Sequence, residues 1–222
     1  MRTLAWMLQK DLLVEWRARA RAVGLAAFAG TTLLLFSFAV GPDSAALRQH
    51  ASAYLWLSLL LSSSLLLERS FRIETESSAI DTLLLLPTPP AAIFLGKALA
   101  NGVQLVLLAA VAFPLTVALF DAPLRGSPVT LGLVAALGAA GLAAPGTLYA
   151  ALTARAGARQ LMLPLLLFPL VVPCLLAAVK ATTLVMLGDP MRQLGDWIGL
   201  LVSFDVLFWA LCSVLFAKVV EG

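Results

Sequence analysis

LERSFRIETESSAIDTLLLLPTPP, Leu67 to Pro90, is a charged run set between oily ones. The chain around it is 61% hydrophobic and only 12% charged. A run of this kind must sit in water, because a hydrocarbon core offers its charges no partners. The side of the membrane on which it sits therefore fixes the layout of everything around it.

Working outward, a spanning helix needs about 20 mainly apolar residues. The charged run is preceded by Ala51–Leu67, opening after Arg48 and His50, and followed by Ala91–Phe120, with Lys97 near its start and Pro114 inside. Further out lie a charge-free stretch, Ala22–Val40, closed by Gly41-Pro42, and a second one, Val129–Thr153. Leu161–Val179 and Trp197–Ala217, which contains Asp205, complete six expected spans. The polar link Asp121–Pro128 separates the third from the fourth. This predicts an all-α membrane protein with one transmembrane domain over residues 1–222.

Orientation follows from the basic residues, which concentrate on the cytoplasmic side. With the N-terminus inside, Arg2, Lys10, Arg17, Arg19, Arg21, Arg69, Arg72, Lys97, Arg155, Arg159 and Lys218 are cytoplasmic; only Arg48, Arg125, Lys180 and Arg192 are outside. Both termini, and the opening stretch, are then expected in the cytoplasm. The net charge of +3 is too small to suggest nucleic acid.

The first 20 residues have another character. Leu4, Leu8, Leu12 and Trp16 recur every four residues, and Thr3, Lys10 and Arg17 every seven along another line. The pattern fits a helix lying in the inner interface with its basic side toward anionic headgroups. A cytoplasmic extension of the first span is the alternative.

Nothing in the chain resembles a catalytic set. The one Gly-Lys pair, Gly96-Lys97, lacks both the glycine five places earlier and the following Ser/Thr that a phosphate-cradling loop needs. With a single histidine and two cysteines in apolar stretches, Cys174 and Cys212, neither a metal cluster nor a disulfide framework is expected. Asp205 falls near the middle of the sixth span, either as a polar point on a substrate path or as a carboxyl group, ionised or protonated, in an interhelical hydrogen bond to donors of the Ser203 or threonine type on neighbouring helices. His50 stands at the outer mouth of the second span, as a boundary residue or as a haem ligand. Pro164, Pro169 and Pro173 should bend or break the fifth span. Gly138 and Gly141, close in helical phase in the fourth, permit tight packing within the bundle or in a dimer.

The opening stretch itself reads as a helix that runs on past the membrane surface from Glu68 to Asp81, with a stop at Pro87–Pro90. Its mixture of acids, arginines and apolar positions suits docking, with a plain solvated loop as the alternative, and the residues expected to carry the docking are Glu68, Arg69, Phe71, Arg72, Glu74 and Asp81.

The stretch from Leu61 to Leu99 resembles the loop between the second and third spans of the CcmB family, the haem exporter protein B subunit of cytochrome c maturation. Leu67, Glu68, Arg69, Phe71 and Arg72 match the family pattern, as do Leu85, Leu86, Pro87 and Lys97. The resemblance continues through Gly41-Pro42 and through Pro145, Gly146, Leu163, Pro164, Pro169 and Pro173. Ser78-Ala79 departs from it, since the family tends to place a glycine before a small residue there.

The resemblance implies a permease subunit of an ATP-binding cassette complex in the bacterial inner membrane, built like the exporter permeases that start with an interfacial helix. It implies a separate CcmA-like ATPase that binds the ATP, CcmC-like and CcmD-like membrane partners, and haem delivery to a CcmE-like periplasmic chaperone. A homodimer within the complex is also expected, with haem as a substrate and no cofactor held by this chain. Residues 68–90 become the element coupling the ATPase to the spans. A lipid or drug exporter with the same engine, or an assembly scaffold that transports nothing, are the competing readings.

Overall fold

The structure is a computed structural model that describes residues 19–76, 90–155 and 162–221. Six helices occupy them: α1 (Arg19–Val40), α2 (Ser44–Glu76), α3 (Pro90–Phe120), α4 (Pro128–Arg155), α5 (Met162–Leu187) and α6 (Leu194–Glu221). Each contains a stretch long and apolar enough to cross a membrane. The protein is thus an all-α, six-span membrane protein, as its hydropathy indicated. The expected interfacial helix over residues 1–20 lies outside the described residues except for its last two.

The ends of the helices follow from local chemistry. α1 stops where Gly41 takes φ +77°, and its N–H donates to the Ser37 carbonyl at 3.3 Å. Two residues later the Asp43 carboxylate accepts from the Ala45 N–H at 2.9 Å and starts α2. The second span thus begins at Ser44 and not after His50. Arg48 and His50 stand inside its first turns, because the Asp43 cap makes a helix start available seven residues before the apolar run.

α5 likewise runs on past Val179 to Leu187, ending at Gly188 with φ +106°. Lys180 is therefore within a helix, exposed, with a stem long enough to reach the interface. The Asp189 carboxylate then receives the Gln193 and Leu194 N–H groups at 2.9 and 2.8 Å and caps α6.

The prolines do not break α5. Pro169 and Pro173 both lie inside one continuous helix, and Pro164 falls in its first turn, where the missing N–H matters least. Leu167, Val171, Cys174, Ala177 and Ala178 are completely buried along this helix, and their packing carries it through the two missing hydrogen bonds.

α4 occupies the centre, packed against α2, α3, α5 and α6, while α1 leans on α2 and α3. Its small residues explain the position. Lipid tails are as apolar as leucine, so helices associate in a membrane by close packing and not by escape from water. A methyl group on Gly138 would overlap the Trp56 ring of α2, and one on Gly146 would overlap Leu67 of the same helix. A methyl on Gly141 would meet Cys174 of α5 and Asp205 of α6. Gly138 and Gly141 thus serve different partners within one chain. α1 and α6 show mostly exposed Val, Leu and Phe side chains, the outer surface of the bundle.

Candidate functional site

The charged stretch grows directly out of α2. That helix has 33 residues, about 50 Å at 1.5 Å per residue, against a hydrocarbon core of about 30 Å. A serine run in its middle does not interrupt it. Ser58, Ser62, Ser63 and Ser64 each donate to a carbonyl three or four residues back, at 2.7–3.0 Å, so their hydroxyls are satisfied without a second helix.

Leu66 and Leu67 are buried at the end of the packed part, Leu67 against Gly146 of α4, and Glu68 is half-buried beside them. Arg69, Phe71, Arg72 and Glu74 follow on the same helix, which continues to Glu76. Asp81 and the proline stop at 87–89 lie outside the described residues. Helix structure resumes at Pro90, and one turn later Phe94, fully buried, packs on Phe216 near the end of α6 at a ring separation of 5.5 Å. These contacts join α2 to α4 and α3 to α6.

Inside the bundle polar side chains link neighbouring helices. Trp56 Nε1 donates to Thr182 Oγ1 at 2.9 Å, and the Ser52 and Thr183 hydroxyls share a hydrogen bond of 2.5 Å, tying α2 to α5. Asn101 Nδ2 donates to Thr147 Oγ1 at 2.9 Å between α3 and α4, and Trp209 Nε1 of α6 donates to the Ala140 carbonyl at 3.2 Å. Lys97 is buried as well. Asn101 is one of two side-chain amides in its apolar span, the other being Gln104, and the sequence does not show its partner.

Asp205 behaves differently from these. It is buried, and neither carboxyl oxygen has a hydrogen-bond partner among the described residues. The expected bond to Ser203 does not form: Ser203 is exposed on the other side of α6 and donates to the Gly199 carbonyl at 2.8 Å. Two residues along a helix turn the side chain by about 200°, so neighbours at this spacing face apart. A charged aspartate at mid-span costs about 2.5–3.5 kcal/mol on insertion scales, which makes an unpartnered one a feature in need of a cause.

His50 is exposed and meets Tyr54 edge-on at 6.1 Å, above a stack of Phe36, Tyr54 and Phe120 from three helices. Beside it Arg48 pairs with Asp121 and donates from Nε to the Asp121 carbonyl at 2.9 Å. No group of three His, Cys, Asp or Glu that could hold a metal occurs among the described residues. Cys174 and Cys212 are both buried and free. His50 and Asp205 belong to separate places, the first at the start of α2 and the second midway along α6.

A second clip escaped the sequence altogether. In the α3–α4 link the Gly126 N–H donates to the Val185 carbonyl at 2.8 Å and the Arg125 N–H to the Met186 carbonyl at 3.2 Å. A Cβ on Gly126 would lie 2.7 Å from that Val185 oxygen, so this link can sit on α5 only as glycine. With the Arg48–Asp121 pair it fastens four helices together at the end of the bundle opposite Glu68.

Six spans around a small-residue centre, one of them prolonged as a charged helix, define a polytopic membrane protein with an extramembrane arm. The CcmB protein family matches residues 2–221, and the chain belongs to that family. It is 31% identical to heme exporter protein B of Bradyrhizobium diazoefficiens across all of this chain and 94% of that protein. It is 37% identical to heme exporter protein B of Rhodobacter capsulatus over 77% of this chain and 78% of the relative. The same-named protein of Pseudomonas aeruginosa is 32% identical over 83% and 82% of the two chains.

Proposed function

We propose that this protein is the membrane subunit of an ATP-driven haem exporter that serves c-type cytochrome biogenesis in the bacterial inner membrane. The observation that carries the reading is the family match across residues 2–221, together with relatives named heme exporter protein B that align over most of both chains. The chain's one Gly-Lys pair lacks the rest of a phosphate-binding loop, so the energy comes from a separate ATPase subunit of the CcmA kind. CcmC-like and CcmD-like membrane subunits and a periplasmic haem chaperone complete the assembly. Haem is cargo.

In this reading the ATPase grips the prolonged end of α2. An unbroken helix from Ser44 to Glu76 is a stiff rod, and Leu67 seated at Gly146 transfers its displacement to the central α4. Glu68, Arg69, Phe71, Arg72, Glu74 and Asp81 form the grip. The basic-residue asymmetry supports placing this end, and both termini, in the cytoplasm.

The test is purification of the chain with its neighbours. Recovery of an ATPase subunit and of haem-loaded chaperone whose release depends on ATP is the expected result. ATP turnover indifferent to haem and chaperone would mark the protein as a scaffold. Stimulation by a lipid or drug in place of haem would reassign the cargo.

A further inference from the structure

Two deficits meet at mid-membrane. Pro145 has no N–H, so the carbonyl of Gly141, four residues before it in α4, lacks the donor that an α-helix would supply. Across the helix contact, Asp205 of α6 is buried with no donor to either oxygen among the described residues. The two residues are neighbours: Asp205 Oδ1 lies 3.0 Å from where a Cβ of Gly141 would be, and only the missing side chain leaves the α4 backbone open to it. Gly141, Cys174 and Asp205 each stand near the middle of their helices, far from headgroups and water.

We propose that Asp205 is an intramembrane proton-binding site: in this packing it carries a proton taken from solvent and donates it to the Gly141 carbonyl. A carboxylate here would face an acceptor and no donor. A carboxylic acid supplies the one donor the place lacks, and both deficits vanish together. Of the titratable groups on the packed elements, Cys174 of α5 faces the site from beside Gly141. α4 offers no charged group at this level. Asp196 and Lys218 lie toward the two ends of α6, Lys180 in the last turns of α5 and Lys97 near the start of α3, so no fixed cation sits at this level of the three helices to hold a carboxylate. Release of the proton leaves a charge that this packing cannot hold, and α6 must then part from α4 or admit water. The site couples the seating of α6 to protonation, whatever cargo the protein moves.

The experiment is infrared difference spectroscopy of the purified full-length protein in its complex, wild type against Asp205→Asn. At neutral pH the wild type is expected to show the carbonyl-stretch band of a protonated carboxylic acid, shifted down by hydrogen bonding, which the variant lacks. A carboxylate band in its place overturns the proposal.

Pro145→Ala restores an N–H to Gly141, so the acid should lose its acceptor and its band should move up to the free-acid position. No movement would show that Gly141 is not the acceptor. The seating is read from Cys174 in a Cys212→Ala background. Raising the pH should open Cys174 to a membrane-permeant maleimide in the wild type and leave it protected in Asp205→Asn, which carries the same thiol and so corrects for thiol ionisation. Equal reactivity in the two would refute the coupling.

Discussion

At the scale of single residues, the α4 glycines differ in what a methyl group would strike. At Gly138 it meets the outer atoms of the six-membered ring of Trp56, which is itself fixed by its bond to Thr182. At Gly146 it meets a terminal methyl of Leu67, which can turn aside more readily. Overpacking a filled interior costs about 1–3 kcal/mol. Gly138→Ala is expected at the upper part of that range and Gly146→Ala below it, measured as loss of thermal stability in detergent. Equal losses would show that Trp56 yields as easily as leucine. Asn101→Ala should cost less than either, about 0.6 kcal/mol, because interhelical hydrogen bonds in membranes are weak and Thr147 keeps its own acceptor, the Ala143 carbonyl at 2.6 Å.

At the scale of elements, the continuity of α2 is what can turn a grip on its far end into motion of the bundle. Ser70→Pro, just past the packed Leu67, would remove a helical hydrogen bond and kink the rod at its exit. The expected outcome is a protein that inserts and still recruits the ATPase but no longer couples ATP turnover to haem delivery. Normal cytochrome c yield from this variant would mean that α2 does not transmit.

Reversal of both Arg72 and Glu74 should instead weaken recruitment itself, since a charge left unpaired in an interface costs about 3–5 kcal/mol. Co-purification of the ATPase reads this directly. Asp121 and Arg125 would be poor controls despite their position in the opposite link, because one pairs with Arg48 and the other bonds to the α5 carbonyls. Arg192→Glu, exposed and without such a tie among the described residues, is the suitable control and should leave binding unchanged.

At the scale of the whole molecule, six spans and the basic-residue count put residue 75 on one side of the membrane and residues 45, 124 and 190 on the other. Thr75→Cys should label only from the cytoplasm. Ala45→Cys, Leu124→Cys and Pro190→Cys should label only from outside, against a low background because Cys174 and Cys212 are buried. Labelling of residue 75 from outside would invert the layout.

The Arg48–Asp121 pair is exposed and is worth about 0–1 kcal/mol. The Gly126 bridge is a backbone contact without slack. Gly126→Ala should therefore loosen the end of the bundle opposite Glu68 far more than Asp121→Asn, as seen in proteolysis of the α3–α4 link.

The sequence by itself determined the number of spans, their approximate places and the grouping of charges, because in a bilayer an apolar run of sufficient length has one stable fate and a charged run another. Family membership was legible for a related reason: the Leu-Glu-Arg, Phe-Arg and Leu-Leu-Pro spacings are local. The helix ends were misjudged by up to eight residues where a capping Asp43 or a terminal Gly188 outweighed the hydropathy. Only the tertiary structure decided which neighbour each small residue admits, and that Gly138 and Gly141 face different helices. It also decided that Asp205 turns away from Ser203 to lie over the backbone that Pro145 leaves unpaired. The reason is geometric. Periodicity along one helix gives the direction of a side chain, but the group it meets belongs to a helix dozens of residues away, and in lipid no hydrophobic pattern announces which face turns inward.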